Sequence, residues 1–437
     1  MTIQLQLRPR FLSAAGTIIA IAIALPASAQ RTAADPARLF RDISVLADDA
    51  WEGRQTCTPG NDSAAVYIAS RFADLGLEPL GRRGRQSGPR ARSRPDNYFH
   101  AYTARPAVRV HEGLSSCEAQ NVAAVIGGSD PALAHEYVVI GAHFDHLGRG
   151  TFGALDPELG DAIRNGADDN ASGTAAVLEL ARLFAAQGTR RSLIFVTFSG
   201  EEWGLLGSQE FAEKSLPAGR AQAMVNFDMV GRLRNDTLLV YGTGTALEMV
   251  RIIDSANTTG LRLAKIPDGI GPSDHRSFYS RNIPVLHLFT NTHADYHRAS
   301  DDAVRINAPG TAKVVDYAQR VIRLLADRAD SLTYVRQAER PVVAGSGTRP
   351  YLGSVPDMAA GDVPGQRISD VSPGSPGDKA GLRAGDAIVE FGGKAVTDLQ
   401  SYSDALGAHK PGDTVTIVVI RGERRVTLTA TLGARGG

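Results

Sequence analysis

A chain of 437 residues, 43% hydrophobic and 22% charged, has room for two or three globular domains with sizeable cores. Lysine plus arginine equals aspartate plus glutamate at 47 each, so neither nucleic acid nor an acidic polymer is suggested as a partner.

Residues 1–29 read as a secretory signal. Arg8 and Arg10 supply the positive start, Phe11 to Leu25 the apolar run, and Ala27-Ser28-Ala29 the small-residue cleavage site. The run is short and rich in small residues for a membrane anchor, and no cysteine follows the cleavage point to carry a lipid. No later stretch is long and apolar enough to span a bilayer. The expected product is exported, with no stable membrane insertion after cleavage. The two cysteines, Cys57 and Cys117, admit two readings: inert core thiols in a reducing compartment, or a disulfide formed after export. As a pair they would close a loop long enough to stabilise by about 4 kcal/mol in the chain-entropy account.

Between residues 35 and 80, "DPARLFRDISVLAD" and "DSAAVYIASRFADLG" carry apolar side chains at helical spacing. A stretch with Arg82, Arg83, Arg85, Arg90, Arg92 and Arg94 follows. It lacks the interleaved aromatics of a nucleic-acid arm and reads as a solvated loop. From about 120 to 330, apolar runs alternate with helical patterns, which predicts an α/β domain with a mostly parallel mixed sheet and helices on both faces. The predicted strands are Tyr137 to Ala142, Leu193 to Phe198, Ala223 to Phe227 and Val285 to Phe289. Predicted helices are Gly173 to Ala186, Leu205 to Lys214, Ala246 to Thr258 and Ala312 to Ala326. Residues 331–347 read as a linker, and residues 348–437, with short strands and glycine-rich turns, as a small β-rich domain.

The chemistry lies in the α/β segment. His143, Asp169, Glu202, Asp228 and His297 fall at or beyond the carboxyl ends of predicted strands, where open α/β sheets place their sites. Alone, each has a bland reading: a surface pair, a helix cap, a solvated charge or a turn. Brought together, so many carboxylates repel one another unless cations neutralise them. Two imidazoles and three carboxylates form an oxygen-rich set of the kind that holds a catalytic metal; zinc suits it, as do manganese and cobalt.

The motifs "GAHFDHLG", "NGADDNASG", "FSGEEWGLLGS", "NFDMVGR", "SDHRSF" and "THADYHRASDD" resemble the aminopeptidase branch of the co-catalytic zinc exopeptidases, the family of bacterial leucine aminopeptidase and aminopeptidase Y. "WEGRQTCTPGN" resembles that family's amino-terminal stretch, with Cys57 where glycine is common. The resemblance implies the zinc exopeptidase fold over residues 30–330 and two zinc ions bridged by Asp169 and a water that acts as nucleophile. His143 and Asp228 would complete one site, Glu202 and His297 the other. Glu201 would be the general base, and Asp145 would hold the far nitrogen of His143. A cis peptide after the bridging aspartate, here Asp169-Asn170, is part of the same pattern. Asp274 and His275 would support the site from outside the metal ligands.

Residues 348–437 resemble a PDZ domain of the bacterial protease type. Tyr351, Leu352, Gly353 and Ser354 match its carboxylate-binding loop, and Leu399 to Leu406 its groove helix. The expected partners are peptide substrates and protein or peptide C-termini taken as an added strand; the plainer alternative is a structural cap. The whole reads as an exported, periplasmic aminopeptidase. Three alternatives share the scaffold: a carboxypeptidase, a glutaminyl-cyclase-like zinc acyltransferase, and a receptor-like binding protein that has lost its ligands.

Overall fold

The computed structural model describes residues 33–80, 95–106, 115–217, 219–337, 350–356, 364–371, 374–397 and 399–434. The expected signal segment, the arginine-rich stretch and most of the expected linker lie outside these residues. Among the described residues, no helix is long and apolar enough to cross a membrane.

The amino-terminal segment forms two helices, α1 (Pro36–Leu46) and α2 (Pro59–Asp74). Each starts for a chemical reason. Asp35 and Thr58 accept hydrogen bonds from the first-turn backbone, and a proline stands at the first helical position, where its missing N–H costs nothing. Between them, Cys57 adopts φ +65°, the left-handed region where glycine is at ease. Cys57 and Cys117 are joined, with an S–S distance of 2.08 Å and Cα atoms 6.2 Å apart.

A nine-stranded sheet organises the α/β domain. Its strands are β1 (Glu78–Pro79), β2 (Phe99–Ala104), β3 (Cys117–Ile126), β4 (Glu136–His143), β5 (Ser192–Phe198), β6 (Arg220–Phe227), β7 (Thr237–Tyr241), β8 (Arg262–Ile266) and β9 (Val285–Phe289). Their order is β1-β3-β5-β4-β6-β9-β7-β8, with β2 also paired to β3. The centre is parallel, β5 and β6 flanking β4 and β9 joining β6. Antiparallel pairing enters through β1, β2 and β3 on one side and β7 on the other.

Successive residues of the central strands serve different cores. Val138, Ile140 and Ala142 of β4 pack on one face with Leu193, Phe195, Val225, Phe227, Leu286 and Leu288. Tyr137 and Val139 pack on the other with Ile194, Val196, Phe198, Met224 and Val285. Burial on both sides explains why these strands read as unbroken apolar runs. The first face is covered by α1, α2, α3 (Gly173–Ala185), α5 (Met249–Ala256) and α7 (Ala308–Asp327). The second carries α4 (Leu206–Glu210), which passes into a wider turn at Phe211–Ser215, and α6 (His275–Tyr279).

The carboxyl-terminal segment builds a six-stranded sheet, β11 (Ser354–Pro356), β12 (Gln366–Val371), β13 (Ala387–Phe391), β15 (Thr414–Arg421) and β16 (Arg424–Thr431), with β14 (Lys394–Ala395) on β13. The short strands β10 (Pro350–Tyr351) and β17 (Gly433–Ala434) pair separately. Its own core includes Leu352, Ile388, Phe391, Tyr402 and Val419. Gly353, in the expected carboxylate loop, has φ +84°, and a Cβ there would sit 2.1 Å from Ser375 Cβ, so only glycine fits.

Candidate metal centre

His143 is the last residue of β4, and Asp228 immediately follows β6, its parallel neighbour. Glu201 and Glu202 lie in the turn after β5, His297 in the loop after β9, and Asp169 just ahead of α3. The chain turns sharply at these points: Met229 and His297 have φ +51° and +54°. The peptide between Asp169 and Asn170 is cis. Asn170 then fastens the turn to β6, its amide donating to the Phe227 carbonyl at 2.9 Å and its oxygen accepting from Gly173 and Met229.

Asp169 occupies the middle. Its Oδ1 lies 3.4 Å from His143 Nε2, which is also 3.4 Å from Asp228 Oδ1. Its Oδ2 lies 3.2 Å from His297 Nε2, which is 3.3 Å from Glu202 Oε2. Ligands around a tetrahedral ion with bonds near 2.05 Å stand about 3.3 Å apart along each edge. All four separations fit that spacing. One oxygen supports the fit further: Asp228 Oδ2 accepts from Ser273 Oγ at 2.7 Å, while the buried Oδ1 has no hydrogen-bond partner. A cation would complete it. The ligand atoms of His143, Asp169 and Asp228, and those of His146, Asp169 and Glu202, also lie close enough together to surround an ion.

The electrostatics agree. Burial alone would strip the proton from His143, yet Glu201, Asp228, Asp145 and Asp169 hold it protonated well above the usual range. His297 behaves likewise beside Glu202 and Asp169. Burial, the largest influence, would raise Glu202, but His297 and the hydrogen-bonded His146 together bring the carboxyl down to about 2. Such a site is charged on both sides, and a metal entering it displaces protons. Glu201 differs: burial first, then Glu202, Asp274 and Asp228, push it well above the carboxylate range despite His143.

Asp145 is fully buried. Its backbone carbonyl faces His143 Nδ1 at 3.1 Å, with the carboxylate Oδ1 at 3.7 Å. Asp274 is buried within electrostatic reach of His143, Asp145 and Asp228, and burial lifts its carboxyl to about 7. His275 stacks on His287 at 4.5 Å with both ring nitrogens unpartnered. Tyr351 and Leu352 precede β11, which Ser354 begins, and Ser354 Oγ meets Tyr402 Oη at 2.6 Å.

Four further residues belong to the site and escaped the sequence reading. Arg54 is fully buried; its guanidinium donates to the carbonyls of Phe144 at 2.8 Å, Asn165 at 2.6 Å, Gly166 at 3.0 Å and Leu46. Burial lowers its pKa to about 10 against the pull of Asp145, Asp169, Asp301 and Glu202. It is a fixed positive charge behind an acidic cluster. His293 Nε2 lies 3.0 Å from Asp168, and Asp301 accepts from the backbone N–H groups of Asp168 and Asp169, which clamps the turn that carries Asp169. His146 Nδ1 lies 2.7 Å from Glu202 Oε1. Its place three residues after His143, in "HFDH", was the available signal.

Residues 121–322 match the profile of peptidase family M28, and residues 350–432 that of a PDZ domain. A probable zinc metalloprotease of Pyrenophora teres f. teres is 35% identical over 160 residues, 35% of this chain and 31% of that protein. A probable leucine aminopeptidase of Trichophyton verrucosum is 32% identical over 187 residues, 39% of this chain and 48% of the relative. The matched stretches thus span less than half of either relative's length. In fold, the chain is similar to a leucine aminopeptidase precursor from Bacteroides thetaiotaomicron, with TM-score 0.52 and 17% identity over 66% of this chain and 97% of the other. It is equally similar to a glutaminyl cyclase from the same organism, also at TM-score 0.52 and 17% identity, with the same coverage. Likeness at that identity concerns the fold alone.

Proposed function

From a chain whose α/β segment belongs to peptidase family M28 and which carries a PDZ domain behind it, we propose an exported, periplasmic di-zinc aminopeptidase. Residues 1–29 are its signal, 30–330 its catalytic domain, 331–347 a linker and 348–437 the PDZ domain. The observation that carries this reading is Asp169, whose two oxygens face two separate sets of ligands.

His143, Asp169 and Asp228 would hold one zinc; Asp169, Glu202 and His297 the other. When bound, the pair supplies Lewis acidity toward the scissile carbonyl and makes a water acidic enough to attack near neutral pH. Glu201 takes the proton of the attacking water and returns it to the departing amine. Its buried setting raises its basicity toward the working pH, as such a role needs. Asp145 fixes the ring of His143 through its backbone and the turn of Glu201 through its carboxylate.

Beside the ligands lies a small apolar cluster of Met229, Leu239 and Phe289, with Tyr241, Ile266 and Tyr296 packed against it. Tyr296 stacks on the ring of His297 at 3.9 Å. With Tyr241, Ile266 and Tyr296 only partly buried, this apolar surround would favour substrates with a large apolar amino-terminal side chain. The PDZ domain, through Tyr351, Leu352, Gly353 and Ser354, would take the C-termini of peptide substrates or partner proteins.

A panel of aminoacyl-chromophore and amino-blocked substrates, run with chelation and zinc add-back, tests the reading. Leucyl, methionyl and phenylalanyl substrates should be cleaved, blocked ones spared, and chelation should abolish turnover until zinc returns. Release of carboxyl-terminal residues instead would make it a carboxypeptidase. Formation of pyroglutamate by protein holding a single zinc would make it an acyltransferase, and zinc uptake without turnover a binding protein.

A further inference from the structure

His146 is a fully buried imidazole within the acidic cluster that the assignment above leaves without a task. Its Nδ1 stands 2.7 Å from Glu202 Oε1 and 3.8 Å from Asp169 Oδ2. Two readings compete: a further ligand to the second cation, or a brace for Glu202. The spacing decides between them. Atoms sharing one tetrahedral ion stand about 3.3 Å apart, as His297 Nε2 does from both its carboxylate partners, at 3.2 and 3.3 Å. A separation of 2.7 Å is that of a charge-assisted hydrogen bond.

We propose that His146 is a positioning residue that donates from Nδ1 to Glu202 Oε1, so that only Oε2 is offered to the second cation, beside His297. The ring is held from several sides. Gly166, at φ +57°, passes so close that a Cβ there would lie 2.4 Å from the imidazole. The backbone N–H of His146 donates to the Arg54 carbonyl at 3.4 Å, and its ring meets that of His297 edge-on at 5.7 Å. Nε2 is buried with no hydrogen-bond partner, which suits a bare lone pair and places the proton on Nδ1. Holding Glu202 to one oxygen keeps the second site to three protein ligands, with a position open for water.

This inference rests on the two-cation reading, and zinc titration of the full chain separates the two. Wild type should bind two equivalents. In His146→Ala the first equivalent, on His143, Asp169 and Asp228, should bind as before, which also reports a folded site, while the second weakens by about 10- to 100-fold. His146→Asn, whose amide can donate from nearly the same place, should recover most of that loss, and the cobalt-substituted protein should keep the wild-type absorption bands. Wild-type affinity kept for both equivalents in His146→Ala would overturn the brace. Loss of a nitrogen-ligand signature in cobalt-loaded His146→Asn would overturn it in favour of direct ligation. A wild type that binds fewer than two equivalents would sink the two-cation reading and the brace with it.

Discussion

The backbone N–H of Glu201 donates to Oδ1 of Asp145 over 3.2 Å. Oδ2 of the same carboxylate accepts from Thr56 Oγ1 at 2.9 Å. One buried side chain therefore ties the turn after β5 to the turn after β4 and to the residue beside Cys57. The position of Glu201 is set by its backbone, which leaves its side chain free for proton transfer.

Glu201→Gln should accordingly keep the fold and both zinc ions while kcat falls by about 100-fold or more, the usual scale of a general base. Steady-state kinetics alongside elemental analysis checks this. Turnover within a few-fold of wild type would remove Glu201 from the mechanism.

Asp169→Asn should weaken both proposed metal sites together, because one oxygen of that carboxylate faces each set of candidate ligands. Zinc titration should show no equivalent left at wild-type affinity. One undisturbed site would mean the two clusters are independent.

Stability should depend on pH through the stacked pair His275 and His287. Burial lowers His287 from 6.5 to about 4, with His143 adding to the effect and Asp228 opposing it, and drives His275 down as well. As pH falls below 6.5 the unfolded chain takes up the protons and the folded one does not. Stability due to His287 is therefore full above that value and is lost down to about 4, with a slope of up to about 1.4 kcal/mol per pH unit. Urea midpoints of metal-free wild type and His287→Leu, compared from pH 7 to 4, measure the difference in slope. Equal slopes would contradict the assignment.

Arg54→Met should destabilise by about 3–5 kcal/mol, the scale of a buried charge left without its partner. It strips the carbonyls of Leu46, Phe144, Asn165 and Gly166 of their donor and takes the positive charge from behind Asp145 and Asp169. Chemical denaturation measures it, and a loss under 1 kcal/mol would show that water or the metals replace the guanidinium.

The parts of the fold that were legible are those where one physical cause dominates. β4, β5, β6 and β9 are buried on both faces, so their apolar runs are unbroken and polar residues such as His143 and Asp228 stand out at their ends. β8 was not legible because its "RLAKI" is exposed or half-buried throughout and alternates weakly. α4 was expected to run on to Lys214, but regular helix ends at Glu210, where the backbone loosens into a wider turn around Phe211, itself fully buried. In the site, the residues that a strand-end rule nominates as ligands come together, while residues that act through distant partners were not foreseen. Arg54 has the look of a solvated cation until four carbonyls from three separate stretches of chain close around it. His146 stood in the shadow of His143, and only the distance to Glu202 distinguishes it from a spare polar residue.

The proposed ligands gather at one rim of the sheet, and β4 runs from Glu136 to His143 to reach it. The opposite rim is roughly 23 Å away along that strand. There the turn at residues 131–135 precedes β4, with Pro131 and Ala132 exposed and the preceding Asp130 anchored by Arg190. That turn suits the splicing in of a reporter or affinity handle, which would leave the chemistry at the far end untouched.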